Sequence, residues 1–327
     1  MKHLHLVGAG LLVALFCSAC EQSSKAEVPS AVATGPAQTS SPKAEDQNFP
    51  PVELAGTAVH ELRASGTERQ YQVWVSLPAS YSESSETYPV VFVTDAAYSF
   101  PLVRSIRNLL GQRGRHIEDF ILVGLPPEQG LTSKESRSRD YTPSNPLHDP
   151  ARRAKVYSAS QYGEAAAYRD YIESQVFPLI ARHYRADMER KVFAGHSLGS
   201  LFGSYVLLTK PGMFQSYILG SPSLWFDKHE ILRHEETYAD NHTNLDANVM
   251  MYIGMYETIG PSERHSSGPD MVGDMQYFER RLQSRKYSNL FIGSEVIKDE
   301  GHLEVFPSLI SRGLIWALPG RDPNITG

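Results

Sequence analysis

Three features of the 327-residue sequence predict an α/β fold, a mostly parallel, twisted eight-stranded sheet with helices on both faces. Short β-rich runs alternate with amphipathic stretches from Pro51 onward, the order that parallel strands and their crossover helices require. Hydrophobic residues make up 41% and charged residues 21% of the chain. That supplies a sizeable core and excludes a disordered chain, a collagen and a polytopic membrane protein. A glycine-flanked serine, Ser197, stands where one such run passes into a helical stretch.

The chain opens with Lys2, an apolar run from Leu4 to Phe16, and the small residues Ser18 and Ala19 before Cys20. This is the charged, apolar, small-residue order of an export signal, too short to span a bilayer as a mature helix. Cys17-Ser18-Ala19-Cys20 resembles the lipobox of bacterial lipoproteins, although Cys17 stands where leucine is usual. The resemblance makes residues 1–19 a lipoprotein-type signal peptide and Cys20 the acylated anchor in the cell envelope. A simple cut after Ala19, releasing a soluble periplasmic or secreted protein, is the alternative. Each buried acyl methylene would contribute about 0.8 kcal/mol to membrane attachment. Residues 20–50 are rich in Ser, Ala, Pro, Glu, Gln and Thr, a composition that cannot offset the entropy of ordering, and read as a flexible tether. Residues 51–320 then form the folded domain.

Within that domain the strand candidates are Thr57 to Leu62, Gln70 to Leu77, Val90 to Thr94, Phe120 to Gly124, Lys191 to Ala194, Ser216 to Leu219, Asn248 to Ile253 and Phe291 to Ile297. The first two leave no room for a helix between them, so they predict an antiparallel edge hairpin with Gly66 in its turn. From Gly163 to Tyr184, Tyr168, Ile172, Val176 and Ile180 recur every four residues. That predicts a helix, kinked at Pro178. The polar stretch from Leu125 to Gln161 has no sustained periodicity and reads as a long loop. It is either functional or a solvated excursion carrying a surface Arg139–Asp140 pair.

Charge and thiol content narrow the chemistry. Lys plus Arg number 31 against 37 Asp plus Glu, a net charge of -6 with no basic run, so nucleic acid is not an expected partner. Cys17 and Cys20 are the chain's two cysteines, so the folded part has no thiol nucleophile, disulfide or cysteine metal cage. His229 and His234 are five apart, which breaks the spacing of a zinc-protease helix. No metal and no cofactor are expected.

Gly195-His196-Ser197-Leu198-Gly199 lies between the strand ending at Ala194 and a helical stretch to Thr209. A serine on a sharp strand-to-helix turn projects its hydroxyl, and side chains at the flanking glycines would collide with the neighbouring backbone. The same turn points the N–H of Leu198, at the positive end of the helix, toward a developing oxyanion. Serine needs a base, and with the nucleophile on such a turn the chain order is serine, acid, histidine. His302, in Asp299-Glu300-Gly301-His302 after the last strand, fits that place, ahead of a helical stretch from Phe306 to Leu318. His196 is expected to pack beneath the site. The acid belongs after the penultimate strand, where Glu257 comes first and Asp270 and Asp274 are rivals; a serine–histidine pair without a third member stays possible. The second oxyanion donor is expected from Ala96 or Ala97, after the third strand.

The stretch from about Tyr71 to Leu318 resembles the esterase D-like branch of the α/β-hydrolases, in particular its enterochelin (siderophore) esterase relatives and related secreted esterases. The resemblance is carried by Gly195-His196-Ser197-Leu198-Gly199-Ser200-Leu201-Phe202, by Ser221-Pro222-Ser223-Leu224-Trp225-Phe226-Asp227, by Gly301-His302 with Val305-Phe306-Pro307, and by Arg139-Asp140-Tyr141-Thr142-Pro143. It implies an α/β-hydrolase fold and hydrolysis of a small-molecule carboxylic ester through an acyl-serine, with Ser197 and His302 at the matching positions. Thr94-Asp95-Ala96 stands where relatives commonly have Leu-Asp-Gly. Trp225, Tyr98 and Arg139 are the candidate substrate contacts. Siderophore lactones, acetylated sugars and short acyl esters all offer the same carbonyl. A non-catalytic envelope protein binding an iron-siderophore or acyl ligand in the same cleft is the alternative from another class, and the oligomeric state stays open.

Overall fold

A computed structural model describes residues 52–111, 113–146 and 161–322. The signal segment, Cys20, the tether and residues 147–160 of the long polar stretch lie outside the described residues. The eight strands are β1 (Thr57–Arg63), β2 (Gln70–Ser76), β3 (Tyr88–Thr94), β4 (Ile121–Leu125), β5 (Ala186–His196), β6 (Ser216–Gly220), β7 (Asn244–Gly254) and β8 (Ser288–Ile297). They form one sheet in the order β1-β2-β4-β3-β5-β6-β7-β8. β1 and β2 make the expected edge hairpin, with Thr57 opposite Ser76 and Arg63 opposite Gln70, and Gly66 in the intervening turn has φ +75°. β2 is antiparallel to β4 as well, and every pairing from β4 to β8 is parallel. This is an α/β-hydrolase fold.

The helices are α1 (Ala96–Gly111), α2 (Ser133–Asp140), α3 (Ala165–Tyr171), α4 (Phe177–His183), α5 (Leu198–Thr209), α6 (Phe226–Asn241), α7 (Met271–Arg285) and α8 (Val305–Ala317). The two-residue alternation of β3 explains how they divide between the faces. Val91 and Val93 join Phe100, Val103, Leu309 and Leu314 of α1 and α8 in one core. Val90 and Phe92 join Ile172, Phe202, Val206 and Phe278 in the other. With both faces covered, all seven residues of β3 are buried.

Two expectations are corrected. The helix from Gly163 to Tyr184 is interrupted by a π-helical turn, Ile172–Val176, rather than simply bent. Pro178 has no N–H to give to the preceding turn, and that turn widens until Phe177 N donates to Ile172 O. The stretch from Leu125 to Gln161 is also not all loop, since α2 lies within it. Thr132 and Glu135 form a reciprocal capping box at its start. The expected surface Arg139–Asp140 pair is buried, with side chains 5% and 3% exposed. Arg139 donates to Asp140 and to the Tyr71 hydroxyl, and Asp140 also accepts from Ser136 Oγ. Such a network is what allows one side of an all-polar helix to be buried.

The described strands and helices belong to one unit, Glu53–Gly327. Among the described residues no helix is long and apolar enough to cross a membrane.

Candidate active site

Parallel strands end together, and the loops that follow β5, β7 and β8 meet at one edge of the sheet. The chain leaves β5 at His196 and turns through Ser197, at φ 59° and ψ -119°, directly into α5. A non-glycine residue is rarely held there, and the strain keeps the hydroxyl at the crest of the turn. The flanking glycines are required by contact: a Cβ on Gly195 would lie 2.7 Å from the Gly199 carbonyl, and one on Gly199 would lie 2.4 Å from Thr94 Oγ1.

His302 follows β8. Its Nε2 lies 3.0 Å from Ser197 Oγ across 105 positions of sequence, and its Nδ1 lies 2.5 Å from Glu257 Oε2. Glu257 is buried, and its other oxygen accepts from Ser221 Oγ at 2.7 Å and from the Gly254 amide at 2.9 Å. Burial alone would push this carboxyl up, but His302, Ser221 and Gly254 together hold it below its ordinary range. Its rivals are engaged elsewhere. Asp270 caps α7 through the Gly273 amide, and Asp274 meets His229 at 2.9 Å.

The remaining expected residues divide. Leu198 opens α5, and Ala96 and Ala97 open α1, and the first turn of a helix leaves its N–H groups without carbonyl partners. Ala96 is fully buried, whereas Ala97 faces a cavity of about 570 Å³ that also reaches Ser197, His302 and Tyr98. Trp225 borders a second cavity of about 290 Å³, again touching Ser197 and His302, together with Ser223, Tyr256 and Arg264. Arg139 borders neither cavity, because its guanidinium is committed to the buried network beneath α2. Arg137, two residues earlier, reaches the larger cavity instead. Helical geometry explains the exchange, since residues two apart point to different sides of a helix.

Sequence reasoning missed the roles of Ser221 and Ser223, the latter 3.3 Å from Ser197 Oγ. The only available signal was their place directly after β6, beside the strand that carries Ser197. His196 is buried, as expected, and packs against His302. Its ring centroid is 4.7 Å from that of His302, and it borders the larger cavity. Burial, with the His302 imidazole adding to it, pushes His196 down to about 4.

A serine hydroxyl, an imidazole and a buried carboxylate thus stand in one hydrogen-bonded line, an arrangement able to carry out acyl transfer. The Esterase family model matches residues 64–286, more than half of the chain. The chain belongs to the Esterase family. This esterase is 27% identical to the ferri-bacillibactin esterase BesA of Bacillus subtilis over 277 residues, covering 84% of this chain and 93% of the relative. Its fold matches the siderophore hydrolase EstB of Aspergillus nidulans with a TM-score of 0.69 at 20% identity, over 83% of this chain and 98% of that one. It also matches the BES protein of Bacillus cereus with a TM-score of 0.68 at 24% identity, over 83% and 97%. The esterase is a serine hydrolase of small-molecule esters.

Proposed function

We propose that Ser197, His302 and Glu257 form the catalytic triad and that the substrate is an ester of the siderophore class. The observation that carries the triad is the unbroken line from Ser197 Oγ through the His302 ring to Glu257. His302 Nε2 takes the hydroxyl proton as Ser197 Oγ attacks the carbonyl carbon, and Glu257 fixes the tautomer and stabilises the imidazolium. Amides of Leu198 and of Ala96 or Ala97 receive the negative oxygen. His302 then gives its proton to the departing alcohol, and a water activated by the same nitrogen splits the acyl-serine into acid and free Ser197.

Three observations support the substrate class. Cavities of about 570 Å³ and about 290 Å³ both border the reacting pair, so the cleft suits an ester with substantial groups on both sides of the scissile bond. Tyr98 and Trp225, partly exposed, stand as walls of the two cavities. Named relatives include BesA and a siderophore triacetylfusarinine C esterase of Aspergillus fumigatus, 32% identical over 147 residues. Residues 1–19 would direct export, and acylated Cys20 would tie the enzyme to the envelope.

The test is hydrolysis of p-nitrophenyl esters and of a ferric tri-ester by wild type and by Ser197→Ala. We expect the variant to stay folded and lose at least about 10³-fold in kcat. Equal, measurable turnover by the two proteins would remove Ser197 as the nucleophile and with it the triad, whereas no turnover by either would leave a cleft that binds its ligand without cleaving it. Preference for acetylated sugars or short acyl esters over the tri-ester would overturn the substrate class alone.

A further inference from the structure

Asp95 directly follows β3 and directly precedes the first turn of α1, where Ala96 and Ala97 lie. It is a non-glycine residue at φ 54°, a conformation that persists only where the surroundings impose it. Three contacts do so. Arg137 grips the Asp95 carboxylate with both arms, Nε to Oδ1 at 3.0 Å and Nη2 to Oδ2 at 3.1 Å. The Asp95 backbone amide donates to the Tyr141 hydroxyl at 3.2 Å. The Tyr98 hydroxyl donates to Oδ2 at 3.4 Å.

Arg137 and Tyr141 belong to one bracket. Arg137 lies in the last turn of α2, and Tyr141 is its C-terminal cap. The bracket is fixed to the body by the Arg139 and Asp140 contacts with Tyr71 and by packing of the Tyr141 ring against Tyr168 and Phe202. Asp95 in turn adjoins the serine turn, because a Cβ on Gly199 would lie 3.4 Å from Asp95 Oδ2. An ion pair whose carboxylate is buried and whose guanidinium is half-buried costs desolvation and is a poor source of stability, whereas its two-pronged geometry fixes orientation.

From this geometry we infer that Arg137 and Tyr141 are positioning residues: they hold Asp95 in its left-handed conformation and so aim the amides at the start of α1 toward the oxyanion formed at Ser197. The inference rests on the oxyanion assignment above. Charge on Arg137 is neutralised by Asp95, so although it borders the cavity it acts through Asp95 rather than on substrate.

The experiment compares full-length wild type with Arg137→Ala, Arg137→Lys and Tyr141→Phe on p-nitrophenyl esters of several acyl lengths. Removing an oxyanion donor outright costs roughly 10²–10³-fold in kcat. Misaiming one is expected to cost about tenfold to a hundredfold in Arg137→Ala, less in Tyr141→Phe, with KM within about twofold. The factor should be the same for every acyl length, and millimolar guanidinium should partly restore kcat in Arg137→Ala. Arg137→Lys keeps the charge without the two-pronged grip and should resemble the alanine variant without rescue. If Arg137→Ala does not fold, Tyr141→Phe and Arg137→Lys carry the test. Unchanged kcat in folded variants, or a KM effect that varies with acyl length, overturns the positioning role while Ser197-dependent turnover remains. Wild-type turnover that survives Ser197→Ala would instead sink the triad beneath it.

Discussion

At the residue scale, Glu257 and His196 show how burial acts with opposite consequences. Glu257 is out of water but accepts three hydrogen bonds, from His302, Ser221 and Gly254. Those donors keep it ionised, so it can stabilise an imidazolium. His196 is equally buried, its Nε2 has no hydrogen-bond partner, and its pKa is pushed from 6.5 to about 4. The folded state therefore refuses a proton that the unfolded chain accepts, so stability from this residue is full above about pH 6.5 and is lost as pH falls toward about 4. Over that window the loss is on the order of 3 kcal/mol. Replacing His196 by Phe should flatten the slope of unfolding free energy against pH in denaturant titrations between those limits. An unchanged slope would show that the histidine titrates freely in the folded protein. Ser197 and His302 could be named from sequence because their chemistry has few substitutes. Glu257 could be ranked first only by position, and geometry separated it from Asp270 and Asp274.

At the element scale, the turn from β5 into α5 depends on close approach to β3. Thr94 at the end of β3 is buried, and its Oγ1 would lie 2.4 Å from a methyl group on Gly199, so Thr94 or the serine turn must shift to accommodate it. Gly199→Ala is expected to destabilise the fold by about 1–3 kcal/mol and to lower kcat at least about tenfold by displacing the serine. A thermal melt and a turnover assay would read both effects, and wild-type values in both would refute the packing argument. The element that periodicity could not find is α2. Ser133-Lys134-Glu135-Ser136-Arg137-Ser138-Arg139-Asp140 has no apolar stripe, and the sequence signal it does carry is the Thr132 and Glu135 capping box. Its buried side is held by hydrogen bonds rather than hydrophobic contact, which no hydrophobic pattern reveals. Pro178, by contrast, correctly marked a disturbed helix while leaving open that the disturbance is a π turn.

At the scale of the whole molecule, the two cores on either face of the sheet and the line from Ser197 to Glu257 all lie within Glu53–Gly327. A chain beginning at Glu53 is accordingly expected to keep wild-type kcat on a soluble ester and a melting temperature within a few degrees. Loss of either would mean that residues before Glu53 contribute to the folded enzyme. By itself the sequence determined the fold class, the number of strands and the edge hairpin, and it named the serine and histidine that the fold brings within hydrogen-bonding distance. Local physics writes these into neighbouring residues: alternation makes strands, and glycines permit the serine turn. What only tertiary structure decided was which carboxylate meets His302, that Arg137 rather than Arg139 reaches the cleft, and that Asp95 is clamped from α2. Each of these is a contact between segments far apart in the chain, and such distances are set by how strands and helices pack rather than by the residues beside them.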